Sequence, residues 1–372
     1  MRIRLLTHPL GTNYGGILQN YALQVVLKSM GHDPITQKVY FDTPQRVKFF
    51  SFLSRLFKCI LGKKVPLKAW LSDDEFSLIS INTSKFIKRY IKTTNAVEIS
   101  SGNLFIDNDF DAIIVGSDQV WRGSDKNVAH FFLSDIKDDN VIRLSYAASF
   151  GVDNWEFSPK NTQKCRMLAK KFHGISVREQ SGIVLCRDYL HVHSECVLDP
   201  TLLLDMNHYS TLIPENLTIE GDYLMEYILD KSSEKNEILT MVSKKINAAI
   251  HTVMPKHYYS EVGSKGIEEC IYPPVEDWIA GIKHSKFVVT DSFHGMVFSI
   301  IFHKPFIAIV NNKRGAARFY SLLNLLNLSS RLVDNKHDAA LLIDTPIDYR
   351  EVDRIIEEKR TSSINFLLRH LK

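Results

Sequence analysis

Short apolar runs alternate with segments of helical periodicity along the first half of the chain. The runs at 2–8, 111–115, 141–147 and 174–177 predict strands. Apolar positions spaced as on one face of a helix predict helices over 17–30 and 159–172. Strands that are separated by helices are typical of βαβ units, so we expect a mostly parallel sheet.

The same alternation begins again after a break at about 200–222, where Asp199-Pro200 and Ile213-Pro214 carry turn residues. Further strands are predicted at 223–229, 248–254, 287–290 and 305–310, and further helices at 235–246, 274–284, 294–302, 316–326 and 349–371. We therefore expect an α/β chain with two doubly wound domains, at 1–205 and 206–345, and a C-terminal helix within 346–372. A cleft between two such domains is where a ligand is expected to bind.

Composition narrows the class of protein. The 372 residues include 46 basic and 42 acidic side chains, a balance that does not favour a nucleic-acid partner. Five cysteines without a C-x-x-C pair exclude a disulfide scaffold and a cysteine-rich zinc site. The chain has neither a signal-peptide core nor an apolar run of the roughly 18 to 20 residues that cross a bilayer. The sequence thus predicts a cytoplasmic protein, and it leaves the oligomeric state open.

Two glycine-containing segments follow predicted strands of the first half. The loop Gly11-Thr12-Asn13-Tyr14-Gly15-Gly16 has two interpretations. It brings backbone N–H groups to an anion or a sugar, or it is only a tight turn between strand and helix. The spacing of its glycines differs from the dinucleotide-binding motif G-x-G-x-x-G. In Gly116-Ser117-Asp118-Gln119-Val120-Trp121, Asp118 either acts as a base or caps the next helix, and Trp121 is a candidate for stacking on a sugar.

Cations and an imidazole follow other predicted strands. Arg178 either binds a carboxylate or phosphate or pairs with Glu179. In Thr290-Asp291-Ser292-Phe293-His294-Gly295, Asp291 or Ser292 caps a helix, and His294 stands in its first turn as a candidate proton donor beside an anion site. The run 311–318, which contains Arg314 and Arg318, is either a clamp for a phosphorylated donor or a solvated charge run.

Six segments occur in order along nearly the whole chain: G-T-N-Y-G-G-I-L-Q-N-Y-A-L, V-G-S-D-Q-V-W, S-Y-A-A-S-F-G, S-V-R-E-x-S-G, V-L-D-P-T and T-D-S-F-H-G-M-V-F-S. Together they resemble the polysaccharide pyruvyl transferase family. The resemblance implies a GT-B-like fold of two Rossmann-like domains with an interdomain cleft. It also implies transfer of a pyruvate ketal from phosphoenolpyruvate to two hydroxyls of a sugar, in a surface polysaccharide or its lipid-linked precursor, with release of phosphate.

The resemblance also implies roles for particular residues. His294 is the expected general acid, and we assign Asp118 as the base, with no metal and no cofactor beyond the donor phosphoenolpyruvate. Members of the family often carry Arg-Leu-His where this chain has Ser292-Phe293-His294, so another arginine must contact the donor. The expected donor-binding residues, mainly in the second domain, are Arg178, Ser292, Arg314 and Arg318. The expected acceptor-binding residues, in the first domain, are Asn13, Tyr14, Gly15, Gly16, Gln119 and Trp121.

Two alternatives remain open. A GT-B nucleotide-sugar glycosyltransferase would have the same shape, and Glu261 with Glu269 matches the E-x7-E spacing of retaining members. A sugar-binding protein without catalysis is the other, although binding alone would not need an acid at a strand end.

The stretch 43–72 contains no acidic residue. Its seven cations are Arg46, Lys48, Arg55, Lys58, Lys63, Lys64 and Lys68. They interleave at helical spacing with Phe49, Phe50, Phe52, Leu53, Leu56, Phe57, Ile60 and Leu61. We expect 46–68 either to contact the inner membrane surface, where a lipid-linked acceptor lies, or to pack its apolar side chains on the first domain.

Overall fold

The computed structural model describes residues 1–63, 65–99, 104–105, 109–123, 127–217, 219 and 221–372, so Lys64 of the basic stretch lies outside the described residues. The first part of the chain contains β1 (Arg2–Leu6), β2 (Asp33–Thr36), β3 (Val39–Tyr40), β4 (Val97–Glu98), β5 (Ala112–Val115), β6 (Ile142–Ala148), β7 (Gly174–Val177) and β8 (Glu195–Cys196). The second part contains β9 (Tyr223–Tyr227), β10 (Ala249–Thr252), β11 (Phe287–Thr290), β12 (Phe306–Ile309) and β13 (Leu332–Val333).

Helices connect these strands. In the first part they are α1 (Tyr14–Ser29), α2 (Gln45–Ile60), α3 (Asp73–Ile79), α4 (Ile81–Tyr90), α5 (Val128–Phe131), α6 (Pro159–Ala169) and α7 (Gln180–Leu185). In the second part they are α8 (Met206–Ser210), α9 (Ser233–Ile246), α10 (Tyr259–Val262), α11 (Val275–Lys283), α12 (Phe293–Ile301), α13 (Ala317–Leu325), α14 (Lys336–Leu342) and α15 (Tyr349–His370). None of the described helices is long and apolar enough to cross a membrane.

The strands form two parallel sheets, in the orders β2-β1-β5-β6-β7-β8 and β10-β9-β11-β12-β13, and β3 pairs with β4 beside them. Every residue of β5 and of β12 is buried, as expected for parallel strands that helices cover on both faces. The expected α/β fold of two Rossmann-like domains is confirmed. In such sheets a ligand binds at the carboxyl ends of the strands where the strand order reverses, here at β1 with β5 and at β9 with β11.

The two domains share a hydrophobic core. The Tyr14 ring on α1 stacks on Trp278 of α11, with ring centroids 5.6 Å apart, and the Tyr14 hydroxyl donates to the Pro273 carbonyl. The last helix, α15, returns to the first domain, where the Leu198 amide donates to Ser363 Oγ at 3.0 Å. These contacts hold the two reversal points of the sheets opposite each other across a cleft.

Candidate active site

A cavity of about 800 Å³ lies between the two domains at the carboxyl ends of the strands. The first domain contributes His8, Asn13, Asp118 and Gln119 to its wall, and the second contributes Ser292, His294, Arg314 and Arg318. Most of the residues that we singled out in the sequence therefore meet in one cleft, since they follow strands that end at facing sheet edges.

The imidazole of His294 is held between α1 and a buried carboxylate. Ser292 Oγ caps α12 by accepting from the Gly295 amide at 3.4 Å, which places His294 in the first turn of the helix. A Cβ atom on Gly15 would lie only 2.1 Å from His294 Nδ1, so α1 approaches the ring this closely because residue 15 has no side chain. On its other side, His294 Nε2 lies 3.7 Å from Asp199 Oδ2.

Two buried arginines and two buried aspartates surround this position. Arg178 Nη1 donates to Asp199 Oδ2 at 2.5 Å, and its Nη2 donates to Asp118 Oδ1 at 3.4 Å. Arg318 Nη1 lies 3.6 Å from the same oxygen of Asp118. Both guanidinium groups also lie against the Phe293 ring, 4.7 and 5.2 Å from its centroid. Phe293 thus adds an aromatic face that both cations share.

Burial and charge shift the pKa values of these groups in ways that define the site. Burial opposes ionisation of Asp118, but Arg178, then His8 and Arg318, outweigh it and lower the pKa of its carboxyl to about 2. Burial likewise opposes ionisation of Asp199, and Arg178 followed by His294 holds the pKa of that carboxyl well below its ordinary value. Both carboxylates are therefore charged at neutral pH.

The charge of Arg318 is only partly compensated within the site. Burial, and then repulsion from Arg178, lowers the pKa of its guanidinium to about 10. Its Nε is buried and has no hydrogen-bond partner within the described part of the chain, and the same holds for His294 Nε2. Because Arg318 lines the cleft, an anion bound there would offset part of its charge.

The other expected donor-binding residues are placed differently. Arg178 lines a second cavity, of about 560 Å³, whose wall also contains Phe293, and its guanidinium forms ion pairs with Asp118 and Asp199. Arg314 lies at the cleft, where it binds Asp230 in a bidentate pair at 2.6 and 3.2 Å. Of the two expected helix caps, Ser292 caps α12, whereas Asp291 is buried and accepts from the Leu229 amide at 2.6 Å, which holds the loop that follows β9.

The expected acceptor residues divide into two groups. Asn13 is exposed at the cleft, and Gln119 Nε2 bridges the domains by donating to the Arg314 carbonyl at 3.1 Å. Trp121, by contrast, is fully buried, stacks on Phe132, and donates from Nε1 to the Phe131 carbonyl at 3.0 Å. The prediction that Trp121 stacks on a sugar is therefore wrong.

Tyr14 is a second correction, because its ring is fully buried in the interdomain core. Gly15 acts on His294 as described above, and Gly16 lies next to the side chain of Asn13. Contact of Asn13, Gly15, Gly16 or Gln119 with an acceptor stays a prediction.

Sequence reasoning missed Asp199 and His8 as members of the site. The sequence pattern places Asp199 only in a turn, although it stands in the V-L-D-P-T segment that follows β8, at the same sheet edge as Asp118. His8 follows β1, so its position at the carboxyl end of a central strand was the available signal. Within the described residues no group of three or more His, Cys, Asp or Glu side chains is arranged to hold a metal ion.

The fold and the cleft define a GT-B-like protein of two Rossmann-like domains. The chain belongs to the polysaccharide pyruvyl transferase family, whose model matches residues 13–313. No sequence among the curated proteins matches this chain.

Solved structures support the fold. A candidate UDP-N-acetylglucosamine 2-epimerase from Listeria monocytogenes superposes with a TM-score of 0.53 at 10% identity, over 96% of this chain and 91% of that one. S. aureus MnaA in a co-structure with UDP reaches 0.49 at 14% identity, also over 96% and 91%. A UDP-glucosyltransferase from Polygonum tinctorium reaches 0.42 at 12% identity, over 99% and 97%. At these identities the likeness concerns the fold alone, and that conclusion rests on the Listeria protein.

Proposed function

We propose that this protein transfers a pyruvate ketal from phosphoenolpyruvate to two hydroxyls of a sugar, in a surface polysaccharide or its lipid-linked precursor, and releases phosphate. One observation carries the proposal beyond family membership. The imidazole of His294 and the partly compensated guanidinium of Arg318 both line one cleft at the start of α12, where Arg318 lies over the Phe293 ring. A donor that carries phosphate and carboxylate groups, and must receive a proton, requires an anion site beside an acid.

The donor would be held by groups of the second domain. The N-terminus of α12 offers backbone N–H groups and the positive end of the helix dipole. Arg318 adds a buried cation with an unpaired Nε, and Arg314 adds a second cation after exchanging Asp230 for the donor. In this arrangement Ser292 acts by capping α12. Arg178 is a positioning residue, since it supports Phe293 and fixes both aspartates.

The chemistry follows from this placement. His294 gives a proton to the donor's methylene carbon, which makes the neighbouring carbon an oxocarbenium-like centre. A sugar hydroxyl attacks that centre, and its proton returns to the now neutral imidazole. A second hydroxyl then displaces phosphate, which carries away the remaining proton, and the cyclic ketal closes. One histidine is therefore sufficient, because the proton that it gives to the donor is returned by the first hydroxyl.

The role expected for Asp118 changes in this proposal. A carboxylate whose pKa is lowered to about 2 is a weak proton acceptor, because catalytic bases work best near the operating pH. Its two arginine contacts instead make Asp118 a positioning residue for Arg178 and Arg318.

The acceptor would enter between Asn13, Gln119 and a pair of tyrosines. Tyr258 and Tyr272 line the cleft and are half-buried, so each keeps part of an aromatic face accessible. We assign to them the stacking on a sugar that Trp121 cannot perform.

The glycosyltransferase alternative receives no support from its expected glutamates. Glu261 and Glu269 lie about half exposed on either side of His257, 3.5 and 3.7 Å from its ring nitrogens. Neither belongs to the wall of the cleft.

The test is to incubate the protein with phosphoenolpyruvate and a panel of sugars that bear neighbouring hydroxyls, and to measure phosphate release together with the mass of the sugar product. We expect phosphate release that depends on both substrates and is lost in His294→Gln. Calorimetry with phosphoenolpyruvate alone reports donor binding even where the panel lacks the acceptor. Absence of donor binding, together with release of UDP from a UDP-sugar, would favour the glycosyltransferase instead.

A further inference from the structure

The helix α2 presents its apolar face to solvent. Surface helices normally pack their apolar stripe against the protein and expose the polar one. None of the 16 residues of α2 is buried. Phe49, Phe50, Phe57 and Ile60 are 58%, 66%, 62% and 74% exposed. This is the reverse of the packing expected if the apolar side chains of 46–68 lay against the first domain.

The opposite face of α2 attaches the helix to the protein. Lys48, Ser51 and Arg55 are the half-buried polar residues of the helix, and they lie on one side of it at helical spacing. Arg55 Nη1 donates to the carbonyls of Pro66 and Ser260, at 3.0 and 3.1 Å. Phe52 and Cys59 are half-buried on the same side, so the inward face is mixed, and the other aromatic side chains of the helix point outward.

The charges around this face select the kind of partner. No acidic residue occurs from 43 to 72, and Arg46, Lys58 and Lys63 are exposed at the two ends of the helix. A matching surface must be anionic and must also accept large apolar side chains. A second copy of the chain would satisfy the apolar face but would place like charges against each other.

We propose that α2 docks on an anionic lipid bilayer, lying in the interface with its aromatic face among the lipids. Buried apolar area and attraction between cations and anionic headgroups are the two terms that bind such helices. The segment that leads into α2 reaches the cleft, since the rings of Phe41 and His8 have centroids 6.3 Å apart. Docking would bring the cleft near the membrane surface. This inference does not depend on the ketal transfer.

Cosedimentation with vesicles tests the proposal. We expect the full-length protein to bind vesicles that contain phosphatidylglycerol in phosphatidylcholine and not to bind vesicles of pure phosphatidylcholine. The bound protein should dissociate as the salt concentration rises. Phe50→Glu/Phe57→Glu should lower the partition coefficient more than tenfold. The matched control Met167→Glu/Leu341→Glu changes residues that are 60% and 65% exposed elsewhere, and it should bind like the wild type.

The electrostatic part has its own pair of variants. Lys58→Gln/Lys63→Gln should weaken binding about fivefold for each cation removed. Lys164→Gln/Lys170→Gln removes two exposed lysines, one within α6 and one just beyond its end, and should have a much smaller effect.

Other outcomes would overturn the proposal. They are absence of binding to anionic vesicles at low salt, or equal losses in the test and control variants. A third such outcome is dimerisation through α2 in place of membrane binding. Light scattering would then show a dimer without lipid that Phe50→Glu/Phe57→Glu converts to a monomer, and the wild type would not bind vesicles. Circular dichroism and phosphate release without vesicles should match the wild type in every variant, because α2 contributes no residue to the catalytic cleft.

Discussion

Replacing Gly15 by alanine perturbs the position of His294 without touching the imidazole itself. Gly15 lies in the first turn of α1. The added Cβ would lie 2.1 Å from His294 Nδ1 and 2.7 Å from His294 Cβ, whereas ordinary contact begins near 3.4 Å. The ring can rotate away, but the Cβ cannot, so α1 and α12 must separate by about 0.7 Å. A displacement of about 1 Å in a catalytic group costs about 100-fold in rate.

We therefore expect kcat/KM for phosphate release from phosphoenolpyruvate to fall about 100-fold in Gly15→Ala. Stability should change little, because overpacking costs roughly 1 to 3 kcal/mol and alanine recovers up to about 1 kcal/mol of helix propensity. Urea unfolding measures that part. Gly16→Ala is the control for kcat, since its Cβ would meet only the exposed side chain of Asn13, at 3.0 Å, and a disturbance of Asn13 would appear in the KM of the acceptor. Wild-type turnover in Gly15→Ala, or an equal loss of kcat in Gly16→Ala at saturating acceptor, would refute the argument.

Four further variants test the site. His294→Gln should lower turnover by about 10²- to 10⁴-fold with an unchanged unfolding midpoint, and retained activity would remove it as the acid. Arg318→Gln should weaken calorimetric phosphoenolpyruvate binding by about 1.5 to 3 kcal/mol, and an unchanged affinity would place the anion elsewhere. Trp121→Ala should cost about 3 to 5 kcal/mol in urea unfolding, and a binding defect without that loss would contradict its core position. Asp199→Asn should cost about 3 kcal/mol at neutral pH, since Arg178 loses a buried partner. Folding lowers the pKa of Asp199. Its contribution to the free energy of unfolding is therefore fully present above the unfolded pKa of about 4 and is lost as the pH falls through the folded pKa. The difference in unfolding free energy between wild type and Asp199→Asn should thus narrow in acid. A gap that widens in acid would contradict the assignment.

Much of the fold was predictable from local patterns. The strands β7 and β11 occur at 174–177 and 287–290 as predicted, because short and mostly apolar runs that end at turn residues have few other ways to be buried. The short β8 and the helices α3 and α4 were not predicted. β8 has only two residues, and it forms because β7 offers an open edge beside it. A pattern of two residues carries no periodicity to detect.

Part of the candidate site was also predictable. His294 and Arg318 each follow a strand of a parallel sheet, and the carboxyl ends of such strands meet at one edge, so their convergence follows from the strand assignments. The pairing of Arg178 with Asp199 and the burial of Trp121 did not follow from the sequence. A tryptophan after a strand suits the core as well as a sugar, and only the packing of Phe132 and the Phe131 carbonyl against it decides between them.

The sequence by itself determined the alternation of elements, the family and the position of each candidate side chain along its own strand or helix. These properties are local, because hydrophobic periodicity and turn residues act over a few positions. The tertiary structure alone decided which face of α2 points outward and which arginine faces the cleft. Both depend on contacts between residues that are distant in sequence: Arg55 with Ser260, and Arg178 with Asp118 and Asp199. Helical periodicity shows that the two faces of a helix differ in polarity. Which of the two faces is buried depends on the residues that pack against the helix.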